Sequence, residues 1–244
     1  MFTRYKRGYK RYGNNTTKII WAILIFCLLI MCFCGYKIFV ATQEYNQGNN
    51  VYEKLAENKS TDKQIDFAAL SKINSEIVGW ISCAGIGLDY PIVRGGDNNY
   101  YLTHLFDGTK NKLGSIFMDY RNNPEFQDKN TVIYGHHMKN GAMFSTLMDY
   151  KDQEFLNDHP RIEIDTPNGP LTMKIFSGFI VNTTEFEAKC QFANNVEFME
   201  YINKAIAQSC FETRVNVKPT DKIVTLYTCS YEYDGARFVL MGVI

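Results

Sequence analysis

Cys229 closes the apolar run Lys222-Ile223-Val224-Thr225-Leu226-Tyr227-Thr228-Cys229, and Arg237 follows eight positions later at the head of a second apolar run. A thiol can attack a carbonyl carbon, and a guanidinium can hold the oxyanion that results. Far upstream, Val132-Ile133-Tyr134-Gly135-His136-His137 delivers imidazoles just past a glycine. A thiolate populated near neutral pH needs cationic neighbours, which His136 and Arg237 can supply. Cys, His and Arg are together the parts of an acyl-transfer site. Each has a bland alternative: a buried structural thiol, an exposed loop histidine, an edge-strand base. Free cysteine in particular is among the most buried residue types.

The elements around these residues must bring them together. The run ending at Cys229 is rich in β-branched residues and reads as a strand. Ser230 to Ala236 is a turn-forming stretch, so a hairpin would set Cys229 beside Arg237 at one end of a sheet. By alternation, Ile223, Thr225, Tyr227 and Cys229 share one face, expected to open on a groove. Val224, Leu226 and Thr228 share the other, expected to face the core. Tyr134 shares a strand face with His136, which makes it a contact for substrate, and Tyr227 and Thr228 are taken with it.

Short β-rich runs begin at Val78 and continue through Tyr90–Val93, Ser115–Met118, Thr131–Tyr134, Arg161–Asp165, Leu171–Val181, Lys222–Cys229 and Arg237–Val243. About eight strands with Gly, Asn and Asp between them predict a closed barrel or a sandwich. Phe67, Leu70 and Ile73 predict a short packing helix. Asn195 can cap another, whose Val196, Met199, Ile202, Ala205 and Ile206 make an apolar stripe.

Several blocks, in order, carry a family resemblance. Thr225-Leu226-Tyr227-Thr228-Cys229 with a downstream Arg237, and Tyr134-Gly135-His136-His137-Met138, resemble the sortases, cysteine transpeptidases of Gram-positive bacterial surfaces. Gly79-Trp80-Ile81, Tyr90-Pro91-Ile92-Val93, Gly114 to Asn122 and Tyr231 to Phe238 are similar to class B in particular. The resemblance spans roughly residues 65 to 244. It implies a mostly β fold: an eight-stranded sortase-type barrel with N-terminal helices and a helix in the connection before the Cys-bearing strand. It also implies Cys229 as nucleophile, His136, the residue after Gly135, as general acid and base, and Arg237 as the group that steadies the oxyanion or positions the signal peptide. His137 competes with His136 for that role. Class B members usually carry Ser where Tyr227 stands, which bears on substrate recognition rather than on the nucleophile. The implied partners are secreted proteins with a C-terminal sorting signal and an amine of the cell-wall precursor, or a pilin lysine. No cofactor and no metal is called for, since no glycine-rich phosphate loop or His/Cys cluster is present.

Net charge is zero, with 26 basic and 26 acidic residues, but the balance is uneven. Residues 1–41 hold seven bases and no acid, leaving 19 bases against 26 acids beyond them, a net of −7. An acidic outer domain argues against nucleic acid as a partner. Ile19 to Tyr36 is an uncharged run of 18 residues that Ile38 to Ala41 extends, approaching the roughly 20 needed to cross a bilayer. A cleaved signal peptide has a shorter apolar core and a small-residue cleavage site, which this segment lacks. Six bases precede the run, so the positive-inside rule places the N-terminus in the cytoplasm. The expected organisation is a basic tail (1–18), a single-pass anchor (19–41), a stalk (42–64) and an extracellular catalytic domain (65–244).

Of seven cysteines, Cys27, Cys32 and Cys34 fall in the apolar run, while Cys83, Cys190, Cys210 and Cys229 lie beyond it. Cys190 and Cys210 could pair. His104 and His159 sit in polar loop contexts and carry no chemistry.

Three other functional classes would leave different marks on these residues or on the product. A hydrolytic membrane-anchored cysteine protease would use the same residues but release product to water. An L,D-type transpeptidase would need a Ser-x-Gly-Cys block that Cys229 lacks. A non-catalytic binding module would have lost Cys229, His136 or Arg237, and all three are present.

Overall fold

Eight extended runs pair edge to edge until the last meets the first. The computed structural model describes residues 14–56, 65–182, 186–230 and 235–244. Residues 1–13 of the expected tail, 57–64 of the expected stalk and 231–234 of the Cys229–Arg237 turn lie outside the described residues.

The chain divides into two compact units, Met1–Asn46 and Gln47–Ile244. The first is helical: α1 runs from Asn14 to Ala56 and its apolar stretch has a mean hydropathy of 2.7 over 18 residues with none of it buried. Such a helix is long and apolar enough to cross a membrane. The final turns of α1, residues 47–56, belong to the second unit. There Tyr52 and Leu55 are buried, and the Tyr52 hydroxyl donates to the Gly114 carbonyl at 2.7 Å.

The second unit is built on β1 (Ile77–Cys83), β2 (Leu88–Val93), β3 (Ile116–Met118), β4 (Asn130–Tyr134), β5 (Arg161–Thr166), β6 (Gly169–Asn182), β7 (Ile223–Cys229) and β8 (Ala236–Val243). They close a barrel in the order β1-β2-β3-β4-β7-β8-β6-β5. Only the pairs β2/β3 and β4/β7 are parallel; the rest are antiparallel. Closure leaves no open sheet edge. The interior is filled by the inward halves of the alternation: Val224 and Leu226 of β7 join Ile81, Ile92, Ile133 and Leu240, all buried.

The helices cover the outside. Asp66 caps the short α2 (Phe67–Ile73), accepting from the Ala69 amide at 2.9 Å. Its packing face is narrower than expected: Leu70 is buried, but Ile73 is 49% exposed. Another short helix, α3 (Gln153–Asp158), precedes β5. The long β6–β7 connection carries α4 (Asn195–Ala207). Two details of α4 differ from expectation. Asn194, not Asn195, is the cap, its carboxamide oxygen accepting from the amides of Val196 and Glu197, worth about 1 kcal/mol. The buried stripe is Phe198, Ile202 and Ala205, while Val196 is 68% exposed and Ile206 44%. With apolar residues on two sides of the helix, the sheet selected the face carrying the bulkiest ring. Burying a side chain of that size contributes about 1.5–3 kcal/mol.

This packing also corrects the face of β7. Ile223 lies in the α4 cluster, and Thr225 is fully buried with its hydroxyl on Asn130 Oδ1 at 2.8 Å. Only Tyr227 and Cys229 reach open space. Cys190 and Cys210 are not joined by a disulfide. Cys190 packs on Val132 of β4, whereas the Cys210 amide is held by Gly178 of β6. Two strands, β7 and β8, separate those sites, too far for a disulfide.

Candidate active site

The open end of the β4–β7–β8 ribbon carries a cavity of about 330 Å³. His136, Cys229 and Arg237 all line it, together with Tyr134, Tyr227 and Thr228. Three neighbours that sequence reasoning missed complete the wall: Asn98, Leu102 and Phe117.

Register explains the convergence. Cys229 and Arg237 face each other as the final pair of the β7–β8 ladder. Beyond them the Ser230 amide donates to the Ala236 carbonyl at 2.9 Å, which extends the pairing by one step. The Arg237 side chain curls onto its own strand, Nη1 donating to the Ala236 carbonyl at 2.9 Å. β4 runs parallel to β7 with Tyr134 opposite Tyr227, so the chain leaving β4 passes the cysteine end of β7. The Gly135 amide still donates to the Tyr227 carbonyl, at 3.2 Å.

Glycine at 135 has a steric cause. A Cβ there would sit 2.6 Å from the Phe144 ring, a separation that real side chains do not tolerate. His136 Nε2 then lies 2.7 Å from the Leu102 carbonyl oxygen. A carbonyl only accepts, so Nε2 carries the proton and Nδ1 is left for exchange. His137 turns elsewhere: its Nδ1 is 3.1 Å from the Cys229 carbonyl oxygen, a main-chain contact.

Aromatic rings floor the cavity in a row across three strands. Phe117 of β3 pairs with Tyr134 of β4, and Tyr134 with Tyr227 of β7. Ring centroids are 5.3 Å apart for the first pair and 5.7 Å for the second, which meets edge to face. Burial pushes the Tyr227 phenol above its ordinary range, although Arg237 pulls the other way. Tyr227 therefore stays neutral. Thr228, 2% exposed, bounds the cavity from the barrel side. Behind the floor, burial and Asp119 raise the Cys190 thiol to about 11, so it is inert at neutral pH.

A thiol, an imidazole with one free nitrogen and a guanidinium on a partly apolar cavity wall suit attack on a peptide carbonyl. Among the described residues no group of three or more His, Cys, Asp or Glu side chains could hold a metal ion.

Residues 81–243 match the family model described as the Sortase domain. Sortase B of Listeria monocytogenes is 35% identical over 241 residues, covering 94% of this chain and 95% of that protein. Sortase B of Staphylococcus aureus is 33% identical over 236 residues, covering 93% and 97%. Among solved structures, a Staphylococcus aureus sortase B–substrate complex superposes with a TM-score of 0.74 at 32% identity, covering 82% of this chain and 97% of that one.

Proposed function

This chain belongs to the sortase family, with sortase B as its relatives, and on that premise we propose that it is a cysteine transpeptidase acting at the cavity between β4, β7 and β8. The observation that carries the reading is the cross-strand pairing of Cys229 with Arg237 in a cavity that His136 also lines. The Cys229 thiolate attacks a backbone carbonyl in the C-terminal sorting signal of a secreted protein. Negative charge develops on that oxygen, and Arg237 stabilises it. The C–N bond breaks as His136 gives a proton to the leaving amine, and a thioester remains on Cys229. An incoming amine then loses a proton to His136 and attacks the thioester. Its new amide releases the thiolate. The acceptor is an amine of the cell-wall precursor.

The apolar stretch of α1 serves as a single-pass anchor over residues 19–41, with the basic tail (1–18) in the cytoplasm. The extracellular catalytic domain takes in residues 47–56 of the expected stalk, because Tyr52 and Leu55 are buried in that unit. The basic segment before the span supports this orientation.

The test is cleavage of an internally quenched peptide library of the sorting-signal class, with and without an added amine acceptor. Wild type should give an amide-linked transfer product by mass spectrometry, and Cys229→Ala should give neither transfer nor hydrolysis. Activity retained in Cys229→Ala would end the reading. Hydrolysis with no transfer to any amine would favour a protease.

A further inference from the structure

Asp119, beneath the cavity, is 0% exposed and belongs to none of the three chemical roles. Its two oxygens accept five hydrogen bonds. Oδ1 takes the Arg121 amide and Arg121 Nε, each at 2.9 Å. Oδ2 takes Arg121 Nη2 at 2.9 Å, the Tyr134 hydroxyl at 2.9 Å and Asn98 Nδ2 at 3.0 Å. Tyr134 and Asn98 both line the cavity; Asp119 and Arg121 do not. The other end of the Asn98 carboxamide is held too, its Oδ1 accepting the Tyr120 amide at 3.0 Å.

We propose that Asp119 is a positioning residue for substrate binding: it clamps the Tyr134 ring and the Asn98 amide into the wall that receives the peptide. This rests on the sortase reading of the site. The phenol hydroxyl is consumed by the carboxylate, so Tyr134 presents ring rather than hydroxyl to the peptide. Because Tyr134 packs between Phe117 and Tyr227, fixing its far end fixes the aromatic floor as a unit. Burial alone would favour a neutral acid, but bonds from Arg121, Tyr134 and Asn98 outweigh it and keep the carboxyl ionised. Arg121 is the cation that makes a buried carboxylate tolerable; its side chain is 43% exposed.

Asp119→Asn replaces one acceptor oxygen with an NH₂, which cannot accept from Tyr134, Asn98 and Arg121 at once. Tyr134→Phe removes only the hydroxyl and keeps the ring. Each variant should raise KM for the peptide that wild type cleaves best by about ten-fold, the size expected for a hydrogen bond to a charged group. Turnover at saturation should change by less than about three-fold, since neither variant touches Cys229 or His136. The double variant should be no worse than Asp119→Asn alone, because both break the same bond. A purely structural Asp119 would instead reduce the amount of active enzyme, lowering apparent kcat with KM unmoved. An unchanged KM in Tyr134→Phe overturns the proposal even where Asp119→Asn fails to fold. Wild type that cleaves no peptide in the library would instead count against the sortase reading itself.

Discussion

His136 Nε2 sits 2.7 Å from the carbonyl oxygen of Leu102, thirty-four residues earlier in the chain. That carbonyl, not a side-chain carboxylate, orients the imidazole. The loop that presents it depends on Gly114. This residue adopts φ +61°, and a Cβ there would lie 2.7 Å from the Tyr101 carbonyl, 2.9 Å from the Leu102 carbonyl and 3.1 Å from His136 Cδ2. Gly114→Ala should therefore lower kcat by at least ten-fold. It should also cost roughly 1–2 kcal/mol of stability from the left-handed backbone alone. Peptide kinetics beside a thermal melt check this. Wild-type kcat in the variant would show that the Leu102 contact does not hold the catalytic ring.

The adjacent histidines separate by partner. His136 faces the cavity, while His137 meets the Cys229 main chain. His136→Ala and Arg237→Ala should each reduce kcat/KM by about 10²–10³ or more. His137→Ala should cost less than ten-fold, through slackening of the strand end that carries Cys229. Steady-state rates for the three variants decide, and a reversal of the two histidines would reassign the general acid.

The strand pattern and the Cys229–Arg237 hairpin were legible because they rest on local alternation and turn chemistry, whereas the choice of His136 rested on the family resemblance. The rest was not, for physical reasons. Leu102 acts through a carbonyl, which every residue has, so no side-chain type marks it. Asp119 gathers Asn98 from 21 positions upstream and Tyr134 from 15 downstream, and only the barrel register brings them together. In α4 the apolar residues fill more than one stripe. Periodicity admitted the face with Val196 and Ile206, while packing chose the face with Phe198.

Asp119 also predicts a pH dependence of stability. Its carboxyl is held below its ordinary value of 3.8: burial opposes this, and the bonds from Arg121, Tyr134 and Asn98 outweigh it. A depressed folded-state pKa gives stability that is complete above the unfolded value and is lost as pH falls through the folded one. The Tm advantage of wild type over Asp119→Asn should thus be constant from pH 7 to about pH 5, then shrink below about pH 4. Melts across that range test it. An advantage that persists at pH 2 would mean the carboxylate's charge contributes nothing.

Tyr227 stands where class B sortases usually carry Ser, and its ring is the last of the three that floor the cavity. The ring does two things at once. It packs edge to face on Tyr134 and against the α4 cluster and Cys190, and it lines the space next to Cys229 and Arg237. A serine would remove that aromatic surface and leave a small hydroxyl that can bond a peptide backbone. Because the phenol is neutral and the ring is wedged among apolar neighbours, substrate contact at this point should be by packing. Tyr227→Ser should therefore shift side-chain preference at one peptide position, away from apolar and toward polar residues. Catalysis on the preferred peptide should fall by about ten- to two-hundred-fold, since about 1–3 kcal/mol of packing is lost without touching the nucleophile. Cleavage profiles of wild type and variant over one peptide library measure this directly. Identical profiles would show that the ring serves only the packing beneath α4.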